Sequence, residues 1–218
     1  MRNNMNVLIV GAHPDDEVLG VGGTLLKHAS QGDSVSVCIL THAYEPQWTA
    51  DYISQKIKEQ AAFDKLTGVS KRFNLDFPTI TLNAVPHGEL NARVADVVNE
   101  VKPDIVYSHF GGDLNEDHAA AFKACLVACR PPKRITLRLF QTPSETEWGS
   151  QMFKPNLWVD IEEFIDKKLE AFRIYASEVK ETPHPRSPES LRSIAAARGS
   201  EVCLPYAEAF QTVREVVL

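Results

Sequence analysis

Strand-like apolar runs alternate with helical patterns through most of this chain, and that alternation constrains the fold more than any other feature. β-Branched and other apolar residues predict strands at 6–10, 34–40, 72–77, 104–109, 134–140 and 156–161. Helices are predicted at 17–30, 53–67, 89–102, 118–129, 162–177 and near 189–199. This order favours a mostly parallel sheet with helices on both faces, a Rossmann-like three-layer α/β/α sandwich of the α/β class.

The C-terminal part of the sequence departs from the strict alternation. A segment rich in proline and polar residues, 180–190, predicts a loop, and alternating apolar residues over 209–217 predict a strand at the edge of the sheet. The chain has 218 residues, enough for one sizeable core and short for two. We therefore expect 1–218 to form a single domain.

Charge and composition limit the partners that this chain can have. The formal net charge of -6 gives no electrostatic reason to bind nucleic acid or an anionic membrane, so we expect a small-molecule substrate. The apolar run near the N-terminus is too short for a signal peptide or a transmembrane segment, which predicts a cytoplasmic protein. Cys125 and Cys129, four residues apart in an apolar helical pattern, are expected to be small buried residues rather than a disulfide or a zinc site.

One imidazole and several carboxylates follow the first predicted strand, in the sequence GAHPDDE. Ligands of open α/β sheets bind at the carboxyl ends of the strands, but acids at this position would repel the phosphates of a dinucleotide. A divalent cation would neutralise this charge. His13 and Asp16 are three residues apart, and Pro14 is suited to the first turn of a helix, so both side chains would converge on the cation. Asp15 would point elsewhere and stay free. The alternative is that the acids only complement a helix N-terminus.

A second polar loop follows the central strand predicted at 104–109. It contains Asp113, Asn115, Asp117 and His118. The spacing D-x-N-x-D resembles the start of an EF-hand loop, but the sixth position is His118 rather than glycine and the twelfth is Ala124 rather than glutamate, which excludes calcium. His118 is the best third ligand, and it completes a site with two histidines, one carboxylate and an open position.

The motifs AHPDDE and DLNEDH together resemble those of the PIG-L/LmbE-like zinc-dependent N-deacetylases, and PHPRSPESL and YAEAF extend the resemblance nearly end to end. The resemblance implies that His13, Asp16 and His118 bind the metal, which is Zn²⁺ or, in the cell, Fe²⁺. It also implies that Asp15 is the general base. The expected reaction is hydrolysis of the N-acetyl group of an amino sugar, a nucleotide sugar or another glycoconjugate.

One position departs from the family pattern. Many members have the sequence H-x-D-H in the second motif, and here the first histidine is replaced by Asn115. An amide can donate a hydrogen bond to an oxyanion but cannot supply a proton, so protonation of the leaving group is assigned to Asp15 or to His184. Asp117 is expected either to orient a ligand imidazole or Asn115, or to cap the helix that follows.

Further residues are candidates for the substrate site. Arg186 and Arg198 could bind a phosphate or the hydroxyl groups of a sugar conjugate. The segment 44–48 contains aromatic residues that could stack on a sugar or simply pack. His42 and His109 also follow strands, and both are interpreted as local hydrogen-bonding residues.

Other functions stay open at the level of sequence. The same chemistry would suit an amidase of a thiol-sugar conjugate. A non-catalytic metal-dependent carbohydrate-binding module would not need a free carboxylate at Asp15, and a metallophosphoesterase usually needs more ligands than this sequence supplies. The sequence does not identify the sugar or say whether the protein is a homo-oligomer.

Overall fold

The computed structural model describes residues 4–216 and contains one sheet covered by helices. The strands are β1 (Asn6–Gly11), β2 (Ser34–His42), β3 (Lys71–Pro78), β4 (Ile105–His109), β5 (Thr136–Phe140), β6 (Leu157–Asp160) and β7 (Ala207–Arg214). The α-helices are α1 (Asp16–Ser30), α2 (Ala50–Thr67), α3 (His87–Val101), α4 (Glu116–Ala128), α5 (Ile165–Ile174) and α6 (Pro188–Ser200). The helix predicted at 162–177 is shorter, because Glu162–Phe164 forms a 3₁₀ turn before α5.

The sheet is mostly parallel, with strand order β3-β2-β1-β4-β5-β7-β6. β1 pairs with β2 and β4 in parallel, and β7 runs antiparallel to both β5 and β6. The predicted α/β fold is confirmed. The prediction of a final edge strand is wrong, because β7 lies between β5 and β6 and leaves β6 at the edge. Part of the predicted strand, Val217, lies outside the described residues.

The two faces of the sheet are covered by different helices. Since side chains alternate along a strand, Val7 and Ile9 of β1 face one core, while Leu8 and Val10 face the other. The first core is completed by apolar residues of α1, α2, α5 and α6, and the second by those of α3 and α4. The predicted three layers follow from this arrangement.

Helix α1 packs unusually close to its neighbours because of its glycines. A Cβ atom on Gly20 would lie 2.1 Å from the ring of Phe140, and one on Gly23 would lie 2.7 Å from Ile161. The GVGG sequence in α1 therefore serves close packing of the helix.

A buried ion pair also fixes α1 in place. The Nζ atom of Lys168 lies 2.6 Å from Oε1 of Glu208 and donates to the carbonyl of Leu19 at 3.0 Å. The Glu208 carboxylate accepts the backbone N–H groups of Gly23 and Thr24 at 2.8 and 2.7 Å. Residues of α5 and β7 are thus joined to the middle of α1.

The order of the strands places a crevice at the carboxyl end of β1. The chain moves from β1 outward to β2 and β3, then returns to place β4 on the other side of β1. Such a reversal is where open α/β sheets bind their ligands. The loops that follow β1 and β4 meet here and carry the two polar motifs. Among the described residues, no helix combines the length and the apolarity that crossing a bilayer requires.

Candidate metal centre

The structure brings the predicted ligands together from two loops. His13 lies in the turn after β1, Asp16 is the first residue of α1, and His118 lies in the first turn of α4. Nε2 of His118 is 3.3 Å from Nδ1 of His13 and 3.5 Å from Oδ1 of Asp16, and the potential ligand atoms of these residues lie within 4.8 Å of one another. Nitrogen and carboxylate oxygen at this spacing suit a zinc or ferrous ion.

The carboxylate of Asp16 provides a test of whether a cation fits. The Asp16 side chain is 1% exposed, and its Oδ1 atom has no hydrogen-bond partner within residues 4–216. A buried carboxylate oxygen normally has a partner, because leaving it without one is costly. The other oxygen, Oδ2, accepts the backbone N–H of His13 at 2.7 Å. The orphaned oxygen lies 3.5 Å from Nε2 of His118, and Oδ2 lies 3.6 Å from Nδ1 of His13, so the donor set fits a bound cation.

Carboxylates behind the imidazoles determine which nitrogen of each ring faces the centre. Nε2 of His13 is 3.0 Å from Oδ2 of Asp117, and Nδ1 of His118 is 2.9 Å from Oδ2 of Asp113. If each of these nitrogens donates its proton, Nδ1 of His13 and Nε2 of His118 are left with free lone pairs toward Asp16. Although burial lowers the pKa of His13, hydrogen bonds to Asp117 and Asp16 raise it to about 10, so a cation would have to displace a proton from Nδ1 of this ring.

The electrostatics of the site result from burying several ionisable groups side by side. Burial raises the pKa of Asp15 well above its usual range, against the opposing effect of Arg186. Burial also opposes ionisation of Asp16, but His109 and His118 hold its pKa well below the usual range. Burial lowers the pKa of His118 well below its usual value. The neutral form of an imidazole is the one that binds a metal.

Asp15 has a backbone conformation that separates its side chain from the ligand cluster. Its φ of 127° and ψ of -22° are rare for a residue other than glycine, and such strain is concentrated at functional sites. Its Oδ2 atom lies 3.1 Å from Nη1 of Arg186. The expectation that Pro14 occupies the first turn of helix α1 is wrong, because the helix begins at Asp16 and Pro14 precedes it.

Glu17, the last acidic residue of the first motif, has a structural role. Its carboxylate is fully buried, and Oε1 accepts from Arg72 at 2.9 Å and from the hydroxyl of Tyr175 at 2.6 Å. Its Oε2 accepts the backbone N–H of Asp15 at 3.0 Å. Glu17 thus supports the turn that carries Asp15 and faces away from the predicted ligands.

Asn115, not Asp117, caps helix α4. The side chain of Asn115 accepts the backbone N–H of Asp117 at 3.0 Å, so the alternative assignment of Asp117 as the helix cap is wrong. Asp117 instead accepts the backbone N–H groups of Ile80 and Leu82 and contacts His13. Because Oδ1 of Asn115 is used by the cap, its amide nitrogen is the group that this side chain offers to the adjoining cavity.

Sequence reasoning missed the contribution of His109 and Asp113 to the site. The His109 ring is fully buried and stacks on His118 with 3.8 Å between ring centroids. Its Nε2 atom is 3.0 Å from the backbone nitrogen of Ala12 and 3.1 Å from Oδ2 of Asp16. The sequence predicted a local hydrogen bond for His109 but not its contact with Asp16, a predicted ligand. The signal available was position, because His109 ends β4 at the same edge as β1.

A cavity of about 450 Å³ opens beside the cluster, and it separates the predicted substrate residues into two groups. Arg186, His42 and Trp48 line it. His184 does not line this cavity, because its Nδ1 atom accepts the backbone N–H of Arg186 and its ring packs edge-on against Trp148. The remaining predicted arginine, at position 198, contacts Gln141 and Glu201 instead and lines a different cavity.

Comparison with known proteins gives a consistent family. The model of the PIG-L family, described as GlcNAc-PI de-N-acetylase, matches residues 8–129. A probable N-acetyl-alpha-D-glucosaminyl L-malate deacetylase 2 of Bacillus anthracis is 28% identical over 192 residues, covering 82% of this chain and 83% of that protein. The diacetylchitobiose deacetylase of Thermococcus kodakarensis is 26% identical over 227 residues, covering 97% and 84%.

The chain is also similar to a protein named for a different reaction and to a protein of known structure. A 4-oxalmesaconate hydratase of Pseudomonas putida is 28% identical over 207 residues, covering 81% of this chain and 77% of that protein. The crystal structure of the conserved protein TT1542 from Thermus thermophilus has a TM-score of 0.80 and 26% identity, and the match covers 98% of this chain and 97% of that one.

Proposed function

Because the chain belongs to the PIG-L family, we propose that it is a metal-dependent hydrolase that removes the N-acetyl group from an amino sugar or an amino-sugar conjugate. Zinc is the proposed metal, with ferrous iron as the alternative in the cell. The observation that carries the proposal is the position of Asp15. This carboxylate is buried at the cavity wall, next to the ligand cluster but outside it.

Each residue of the site has a role in this proposal. His13, Asp16 and His118 hold the ion, which when bound polarises an amide carbonyl and makes a water molecule more acidic. Asp15 accepts a proton from the attacking water and later delivers one to the leaving amine. The amide nitrogen of Asn115 donates a hydrogen bond to the oxygen on which negative charge develops.

The surrounding contacts support this division of roles. Asp117 and Asp113 orient the two ligand imidazoles through hydrogen bonds of 3.0 and 2.9 Å. Arg186, 3.1 Å from Asp15, fixes the direction of its carboxylate. Asp15 is the better candidate for protonating the amine, because the His184 ring is held against Trp148 and away from the cavity lining.

Measuring acetate release tests the proposal against the hydratase and the binding-module alternatives. The zinc-loaded protein is incubated with N-acetylglucosamine, its methyl glycoside and diacetylchitobiose, and both acetate and free amine are quantified. We expect equal amounts of the two products. Binding without release of acetate would support a carbohydrate-binding module, and the absence of both binding and acetate would contradict the proposal.

The substitution Asp15→Asn tests whether Asp15 is the general base or a metal ligand. It keeps the size of the side chain but cannot accept the proton, so kcat should fall by roughly 10²–10⁴-fold while metal content stays unchanged. Asp96→Asn, an exposed position on α3, is the matched control and should retain full turnover. If Asp15→Asn loses its metal, the residue is a ligand, and if it keeps near-normal turnover, the base lies elsewhere.

A further inference from the structure

The cavity beside the ligand cluster contains cationic side chains, but carboxylates already neutralise them. In the part of the chain that the structure describes, the lysine and arginine side chains lining this cavity are Lys56 and Arg186. The Nζ atom of Lys56 lies 2.8 Å from Oε1 of Glu178 and 3.2 Å from Oε2 of Glu59. The Lys56 side chain is 9% exposed, so its charge is directed at these two acids rather than at the open volume.

Arg186 is engaged on several sides. Its Nη1 atom contacts Asp15 at 3.1 Å, and its Nη2 atom contacts Oε1 of Glu145 at 3.2 Å. Its Nε atom donates to the hydroxyl of Ser144 at 2.8 Å. Glu178 reaches the same guanidinium at 3.7 Å. The planar fork that would grip a phosphate or a carboxylate is therefore already occupied by the protein's own acids.

The balance of charge along the wall is negative. Four carboxylates line the cavity together with the two cations, namely those of Asp15, Asp76, Glu145 and Glu178. Asp76 is exposed there at the end of β3. When a bound divalent ion and Asp16 are included and each group is counted once, the negative charges still exceed the positive ones by one. An additional anion would enter a region with surplus negative charge, and the described residues of the lining would offer it no lysine or arginine that is free of a carboxylate partner.

The uncharged part of the wall suits a sugar. Trp48 and Tyr52 line the cavity, together with Ile53 and Ile57 at the start of α2. Aromatic and apolar side chains with a few polar groups are typical of sites for uncharged small molecules. Hydroxyl groups of a sugar do not require a free positive charge, because the carboxylates of the wall can accept hydrogen bonds from them.

We propose that this site accepts N-acetylated amino sugars whose remaining substituent is uncharged, and that it rejects those with a phosphate or a carboxylate on that substituent. The inference rests on the proposed function, since it specifies the substrate of the same site. Such a site would differ from one that binds a malate conjugate or a sugar phosphate, because those substituents are anionic.

The test compares substrates that differ only in charge. Acetate release is measured for methyl N-acetyl-glucosaminide, for N-acetylglucosamine 1-phosphate and for a glycoside of N-acetylglucosamine with a hydroxy acid. We expect kcat/KM for the methyl glycoside to exceed that of either anion by about tenfold or more at low ionic strength. The ratio should narrow as salt is raised toward about 1 M, where charges are screened within about 3 Å. Equal rates, or faster reaction of an anion, would overturn the inference and leave the deacetylase proposal intact.

A second measurement keeps the inference testable without turnover. Analogues of the same compounds with an N-methylsulfonyl group in place of the N-acetyl group, which cannot release acetate, are titrated into the zinc-loaded wild-type protein, and binding is followed by saturation-transfer NMR. Stronger binding of the methyl glycoside supports the inference even if no acetate is released. Stronger binding of an anion, or binding of none, overturns it.

A matched pair of variants tests the charges themselves. Glu145→Gln removes one carboxylate from Arg186, so the preference for the uncharged substrate should fall several-fold. Glu163→Gln makes the same change of charge at an exposed position before α5, away from the cavity lining, and should leave the preference unchanged. An identical preference in the two variants would contradict the assignment of selectivity to these carboxylates.

Discussion

Breaking the ion pair between Lys168 and Glu208 should destabilise the fold far more than breaking a pair on the surface. Both side chains are 5–6% exposed, and the Nζ to Oε1 distance is 2.6 Å. Lys168→Met removes the cation and leaves a buried carboxylate without its charge partner. Such a loss typically costs about 3–5 kcal/mol in the free energy of unfolding.

The contacts of Glu208 refine this magnitude. Its carboxylate keeps the backbone N–H donors of Gly23 and Thr24, which stabilise negative charge, so we expect a cost near the lower end, about 3 kcal/mol. The carbonyl of Leu19 also loses the donor that Lys168 supplied at 3.0 Å. With a slope of about 2–3 kcal/mol/M in urea, the unfolding midpoint should fall by about 1 M.

A double-mutant cycle measured by urea unfolding checks the reasoning. Adding Glu208→Gln to Lys168→Met removes the stranded charge, so the double variant should be more stable than the sum of the single losses predicts, by at least about 1 kcal/mol. Strictly additive losses, or a shift below about 0.3 M for Lys168→Met, would show that the pair does not act as a buried charge pair.

Three further predictions concern the metal and the packing of α1. Alanine at any one of the three predicted ligands should reduce bound metal below one ion per chain in elemental analysis, and full metal in all three variants would refute the ligand set. Asp113→Ala leaves Nδ1 of His118 without its acceptor, so metal affinity in competition with a chelating dye should fall about 10–100-fold; unchanged affinity would show that Asp113 does not orient the ring. Gly20→Ala places a Cβ atom 2.1 Å from Phe140 and should lower the free energy of unfolding by about 1–3 kcal/mol or more. Gly88→Ala, whose Cβ meets nothing within 4 Å in α3, should be neutral or stabilising by up to about 1 kcal/mol, and equal effects of the two substitutions would contradict the packing argument.

The fold was predictable from sequence because its signals are local. Apolar runs and helix caps locate each element to within a few residues, and the alternation of elements gives the parallel sheet. The position of β7 was not predictable in this way. An alternating pattern indicates a strand but does not say which neighbours it pairs with, and the antiparallel insertion between β5 and β6 depends on long-range contacts.

The site was predictable only in part, for a physical reason. The three successive acids of AHPDDE look equivalent in sequence. In the structure, where Asp15 has a φ of 127°, their side chains lie in three different surroundings. Asp16 faces the imidazoles, Asp15 faces Arg186, and Glu17 faces Arg72. His109 was undervalued because its importance depends on stacking against His118, and no local pattern encodes that contact.

The two imidazoles of the candidate metal centre are 105 positions apart in the chain, and they meet only because β4 pairs beside β1. A cation held between them would act as a reversible cross-link that closes a long loop, and the unfolded chain has no preformed equivalent. Binding free energy at such a site therefore becomes folding free energy. The free concentration of the metal would then add to the free energy of unfolding, so the same ion would contribute both to stability and to chemistry.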